Sequence, residues 1–146
     1  MIIRNWAKGD NLAISQLEKV CFSSPWSLEM IEGTFNLNNF VGFVCENDGQ
    51  IIGYIGIIYD QWDGSVLNVA VRPEFRQQGV GSKLLNESIN FLISKNLEQC
   101  FLEVRKSNLK AQRLYEKFNF KPIGERKKYY ENTEDAIVMA RVLKEV

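Results

Sequence analysis

The sequence predicts an α/β fold with a mixed sheet, and three observations carry that expectation. Short apolar runs such as Phe40–Glu46, Ile51–Tyr59 and Phe101–Val104 have strand length and stop at turn residues. Between them lie segments whose apolar residues recur at helical spacing. Their order is strand, two helices, three strands, then helix, strand, helix and two strands. No linker, repeat or low-complexity tract interrupts the 146 residues, so a single domain, 1–146, is expected.

Each element has a local reason. Ile2-Ile3-Arg4 reads as a short first strand. Asp10 is placed to cap a helix with apolar positions Ala13, Ile14, Leu17, Val20 and Cys21. Ser23-Ser24-Pro25-Trp26 breaks it, and Ser27 caps a second short helix toward Phe35. Phe40–Glu46 and Ile51–Tyr59, joined by Asn47-Asp48-Gly49, form a hairpin. Leu67–Val71 is a strand closed by Arg72-Pro73, and a glycine-containing loop leads into a helix with Leu84, Leu85, Ile89 and Leu92 on one side. Phe101–Val104 is the next strand; Ala111, Leu114, Tyr115 and Phe118 mark another helix. Strands around Phe120–Tyr129 and Ala136–Val142 finish the chain.

Composition excludes several classes. Lys and Arg number 18 against 18 Asp and Glu, without the basic excess of a dedicated nucleic-acid binder. There is no histidine, so no His-ligated zinc, Ser-His-Asp triad or Cys-His pair can be built. Cys21, Cys45 and Cys100 are scattered without a C-x-x-C pair, which speaks for reduced thiols over a disulfide framework or cysteine-bound zinc. No metal is expected. The start lacks an apolar region behind a basic one, and the longest apolar stretch, Ile51–Tyr59, is far below the roughly 20 residues that span a bilayer. A cytoplasmic protein without membrane contact is the expectation.

Arg76-Gln77-Gln78-Gly79-Val80-Gly81 lies between a strand and a helix. Its glycines let the backbone bend and approach a ligand, and free N–H groups at a helix start favour phosphate. The Gly-Lys-Ser/Thr of a nucleotide P-loop and the third glycine of a dinucleotide fingerprint are both missing, which leaves pyrophosphate binding or a plain glycine-permissive helix start.

Val69-Ala70-Val71-x-Pro73-x-x-Arg76-x-x-Gly79-x-Gly81, followed by Leu84-Leu85, resembles the acetyl-CoA signature of the GNAT superfamily of N-acetyltransferases. Leu102-Glu103-Val104-Arg105-x-Ser107-Asn108-x-x-Ala111-x-x-Leu114-Tyr115-x-x-x-x-Phe120 resembles its second block. Pro25-Trp26-Ser27, Tyr129-Tyr130 and Glu134-Asp135-Ala136-Ile137 narrow the resemblance to the RimI-type branch, which acetylates the N-terminal alanine of a small-subunit ribosomal protein. The likeness spans nearly the whole chain and implies a mixed, mostly antiparallel central sheet of six to seven strands flanked by about four helices.

The resemblance also implies roles. Gln77, Gln78, Gly79, Val80, Gly81 and Ser82 would hold the CoA pyrophosphate through backbone N–H groups, although Gln77-Gln78 replace basic residues common there. Val69, Ala70 and Val71 would pair with the pantetheine arm, and one of their N–H groups would polarise the thioester carbonyl. Asn108 would contact the cofactor further along, a role compatible with capping a helix. Trp26, Tyr129 and Tyr130 would meet the acceptor peptide, though each is also at home as an anchor or strand residue.

Acetyl transfer needs a neutral amine and a proton for the departing thiolate. An α-amine of pKa about 7.7–8.0 is neutral for roughly a quarter of molecules at pH 7.4, against about one in a thousand for lysine. A weak, partly water-linked base therefore suffices for an α-amine. Glu103 is the candidate base; its other readings are a solvent-facing strand residue or a partner for Arg105. The strand Ser65–Val69 offers no competing carboxylate. Tyr115 is the candidate acid, or a core aromatic on the stripe of Ala111, Leu114 and Phe118. Arg126-Lys127-Lys128 reads as a solvated charge run or a lure for an acidic segment. Beside acetylation of a protein N-terminus stand three further readings: a small amine or lysine side chain as acceptor, a CoA-binding module without chemistry, and nucleotide hydrolysis.

Overall fold

A computed structural model describes residues 1–144 and contains β1 (Ile2–Asn5), α1 (Asn11–Cys21), α2 (Leu28–Phe35), β2 (Phe40–Asn47), β3 (Gln50–Tyr59), β4 (Asp63–Val71), α3 (Val80–Ser94), β5 (Gln99–Arg105), α4 (Leu109–Lys117), β6 (Lys121–Tyr130) and β7 (Glu134–Val142). Short 3₁₀ turns at Lys8–Asp10 and Pro73–Phe75 precede α1 and α3. The strands form one sheet in the order β1-β2-β3-β4-β5-β7-β6. β1–β2, β2–β3, β5–β7 and β7–β6 are antiparallel, and β4–β5 is parallel. The mixed, mostly antiparallel sheet and the four α-helices match the expectation from sequence.

The chain groups into two compact units, Met1–Tyr59 with Leu67–Ser88, and Asp60–Val66 with the described residues from Ile89 onward. In the first unit β3 is buried from Ile51 through Ile57, an unbroken apolar run covered on both faces. Tyr54 and Gly56 meet Trp6 on one face, while Gly53 on the other lies against Val80 and Leu84 of α3. Ile14 and Leu17 of α1 and Ile31 of α2 complete the core on the Trp6 side. Gly42, paired with Gly56, is required there, because a Cβ on it would stand 2.4 Å from Trp6 Cε3. Ser27 caps α2 as expected, its hydroxyl accepting Met30 N–H at 3.1 Å. The turn between β2 and β3 has positive φ at Asp48 (50°) and Gly49 (77°), the geometry of a type I′ hairpin.

Two expectations in α1 fail. Asp10 flanks the helix, but its side chain caps none of its N–H groups: Arg4 holds it through Nη1 at 2.8 Å and Nη2 at 2.9 Å, and it accepts Ala7 N–H at 2.7 Å. Val20, assigned to the apolar face, is 54% exposed, and Glu18 is buried in its stead.

In the second unit β5 alternates, with Cys100, Leu102 and Val104 inward and Phe101, Glu103 and Arg105 on the other face. β7 lies against it with Leu102 opposite Met139 and Glu103 opposite Val138. β6 is the outer strand, exposed from Lys121 to Tyr129. The strand expected at Leu67–Val71 begins earlier, at Asp63, because Asp63, Gly64 and Ser65 are held in register with Gln99, Cys100 and Phe101.

Candidate active site

Strand β4 ends at Val71 and the loop that follows is built around two left-handed residues, Gln77 (φ 62°) and Gly79 (φ 83°). Nothing lies within 4 Å of a Cβ built on Gly79, so it is the backbone angle, not crowding, that calls for glycine. α3 begins at Val80, which places Gly81 and Ser82 in its first turn rather than in the loop. Lys83 N–H donates to Gly79 O at 3.0 Å, so the N–H groups of Val80, Gly81 and Ser82 precede the first helical bond. With no acidic side chain in that turn, donors and helix dipole together suit an anion. Arg76 is turned back, its Nε donating to Val71 O at 3.0 Å, and Gln78 Nε2 donates to Glu74 O at 3.2 Å. These residues fit a diphosphate held by main-chain groups. Among the described residues the β4–β5 register covers Asp63–Ser65, and Val69, Ala70 and Val71 lie outside it.

Trp26 belongs to a polar cluster that sequence reasoning missed. Glu18 is only 1% exposed and is not ion-paired to any Lys or Arg among the described residues. Its Oε1 accepts the Trp26 N–H at 2.9 Å, and its Oε2 accepts the Tyr54 hydroxyl and, at 3.0 Å, Asn68 Nδ2. Burial pushes the Glu18 carboxyl above its usual range, while the Trp26 and Asn68 donors pull it back. A signal existed: Glu18 shares the helical stripe of Ile14, Leu17 and Cys21, where an acid needs a buried partner.

In the second unit Glu103, Tyr129 and Tyr130 come together. The Glu103 side chain is 25% exposed and pairs with Arg126 Nε at 3.1 Å, not with Arg105. The Glu103 carboxylate raises the Tyr129 phenol above its ordinary value, with burial adding to the effect. Tyr130 is pushed up to about 12, first by burial and then by Glu103. The Tyr129 and Tyr130 rings stand 5.0 Å apart, edge to face. Arg126 lies 5.3 Å over Tyr129, and Arg105 lies 4.4 Å over Tyr130. Arg105 itself binds Glu131 at 2.8 Å and Glu134 at 3.3 Å. The run Arg126-Lys127-Lys128 is thus partly engaged: Lys127 pairs with Glu125 at 3.0 Å and Asp135 at 3.3 Å.

Tyr115 is buried on α4, its ring 5.9 Å from Phe120. Burial raises its phenol well above the ordinary value, and Tyr130 contributes in the same direction. Asn108 caps α4 as expected, its Oδ1 accepting Ala111 N–H at 3.1 Å.

Strand β4, its glycine loop and α3, then β5 and α4, are the elements that carry these residues. Residues 11–120 match the Acetyltransferase (GNAT) family, and the chain belongs to that family. It is 36% identical over 139 residues to a Bacillus subtilis protein provisionally named [ribosomal protein bS18]-alanine N-acetyltransferase, covering 94% of this chain and 92% of that one. It is 32% identical over 136 residues to the [ribosomal protein bS18]-alanine N-acetyltransferase of Escherichia coli K12, covering 88% of each. The crystal structure of the ribosomal-protein-S18-alanine N-acetyltransferase from Escherichia coli superposes with a TM-score of 0.93 at 27% identity, over 99% of this chain and 95% of that one. No helix among the described residues is long and apolar enough to cross a membrane.

Proposed function

We propose that this chain is an acetyl-CoA-dependent N-terminal acetyltransferase whose acceptor is the N-terminal alanine of a small-subunit ribosomal protein. The observation that carries the reading is Glu103 itself, a part-buried carboxylate on β5 paired with the same Arg126 that lies over the Tyr129 ring, on the family scaffold. The names of the Bacillus subtilis and Escherichia coli relatives support the choice of acceptor.

Acetyl-CoA supplies the acetyl group as a thioester. Gln77, Gln78 and Gly79 and the first-turn N–H groups of Val80, Gly81 and Ser82 hold its diphosphate. Val69, Ala70 and Val71 offer main-chain groups to the pantetheine arm, and a β4 N–H polarises the thioester carbonyl. Asn108 adds a contact further along while its Oδ1 caps α4. Trp26, Tyr129 and Tyr130 hold the acceptor main chain with apolar ring faces and hydroxyls. A Glu103 oxygen takes the proton of the α-ammonium, directly or through one water. Tyr115 stays protonated at neutral pH and gives its phenolic proton to the departing sulfur.

Residues 1–146 act as one N-acetyltransferase domain, and β4 and α3 contribute residues to both compact units. The enzyme works in the cytoplasm, a reducing compartment suited to the free thiols of Cys21, Cys45 and Cys100. The test is CoA release with peptides beginning Ala, Ser or Met, a lysine peptide and a polyamine. Preference for the Ala peptide is expected; preference for the polyamine, or no release with any acceptor, would overturn the reading.

A further inference from the structure

Two adjacent tyrosines on a regular strand point to opposite faces, yet the rings of Tyr129 and Tyr130 touch edge to face at 5.0 Å. Both also feel the same carboxylate: Glu103 helps to raise the Tyr129 phenol and the Tyr130 phenol alike. The cause lies one residue earlier. From Arg126 opposite Ala136 to Tyr130 opposite Glu134 the register slips, because β6 carries extra residues there. Lys128 is left-handed at φ 50°, a conformation a long side chain seldom adopts. A bulge leaves its amide out of the ladder, and the Lys128 N–H is instead taken by Asp135 Oδ1 at 2.8 Å. Asp135 Oδ2 accepts Lys127 Nζ at 3.3 Å, so one carboxylate grips both residues of the bulge. Its neighbour faces the other way: Glu134 accepts Ser107 N–H at 2.8 Å and Arg105 Nη1 at 3.3 Å, and that Arg105 lies over Tyr130.

We propose that Asp135 is a positioning residue for the acceptor: by holding the Lys127–Lys128 bulge it turns Tyr129 and Tyr130 to a common side, where both serve the peptide bound beside Glu103. The inference rests on the acetyltransferase reading above, but its mechanical half does not. Asp135 acts through the backbone of Lys128, and the shape of the hairpin is what it controls.

The experiment compares Asp135→Ala and Asp135→Asn in the full chain, with Ala-initiated peptide and acetyl-CoA as substrates. Asn keeps an oxygen for the Lys128 N–H, and Ala does not. Asp135→Ala is expected to raise the peptide KM about tenfold while the acetyl-CoA KM stays within about twofold, the scale of a modest misplacement. Asp135→Asn is expected to restore most of the loss. Amide hydrogen exchange read at Lys128 is expected to speed up in the Ala variant and to stay slow in the Asn variant. Should Asp135→Ala fail to fold, Asp135→Glu, which moves the carboxylate one methylene outward, replaces it with the same expected KM rise. An unchanged peptide KM, equal rises in both KM values, or an Asn variant no better than Ala would overturn the inference. If the wild type acetylates no α-amine, the acetyltransferase reading falls, and Lys128 exchange alone then decides whether Asp135 holds the bulge.

Discussion

Trp26 hangs from a buried carboxylate: its backbone N–H donates to Glu18 Oε1 at 2.9 Å, in the segment between α1 and α2. The same carboxylate is shared with Tyr54 of β3 and Asn68 of β4, so helix, loop and sheet meet on two oxygens. Because burial raises the Glu18 carboxyl in the folded state, its contribution to stability is fully present below its unfolded value and is lost as pH rises through the folded one. Asp10, lowered mainly by its hydrogen bond to Arg4, works in the opposite direction and loses its contribution as pH falls. Glu18→Gln imitates the protonated form and isolates the first effect. Urea unfolding from pH 5 to pH 8 is expected to show the variant gaining on the wild type as pH rises. A constant difference would mean that Glu18 is not strained by its burial.

Replacing Tyr115 by Phe removes a hydroxyl and leaves the ring against Phe120 in place. Turnover is expected to fall roughly 100-fold or more, the scale of a lost general acid, with thermal unfolding little changed. Wild-type turnover in the variant would remove Tyr115 from the chemistry.

Glu103→Gln is expected to lose rate while the protein keeps its fold, since the pair with Arg126 is largely at the surface and such pairs add little to stability. As pH rises toward and beyond 8, free α-amine accumulates and the deficit shrinks. Initial rates across that range check the point; a deficit that ignores pH would make Glu103 a group that orients and not one that takes a proton.

Gly79→Ala tests the loop. The site has room for a methyl group, so the cost is that of the left-handed backbone, about 1–2 kcal/mol for a residue with a Cβ. Titration calorimetry with CoA is expected to show weakened binding, with only a small drop in unfolding midpoint. Unchanged affinity would show that the loop angle is irrelevant to the diphosphate.

What could be read directly from the sequence is what depends on near neighbours. Leu84, Leu85, Ile89 and Leu92 announce α3 by their spacing, Ser27 and Asn108 announce helix starts, and Asp48-Gly49 announces a hairpin. What was hidden depends on partners far along the chain. Asp63–Ser65 are strand residues only because β5 pairs with them. Asp10 leaves its helix for Arg4, and Glu103 takes Arg126 in place of the nearer Arg105. Glu18 is acceptable inside the core because Trp26, Tyr54 and Asn68 arrive from three other segments to donate to it.

The outermost strand carries a further consequence. β6 is exposed from Lys121 to Tyr129, carries Lys121, Arg126, Lys127 and Lys128, and has Pro122 and two register breaks within it. A second copy trying to extend the sheet there would face like charges, a missing donor and a kinked template. Such a border is a poor template for a further strand, where a smooth apolar one would invite pairing.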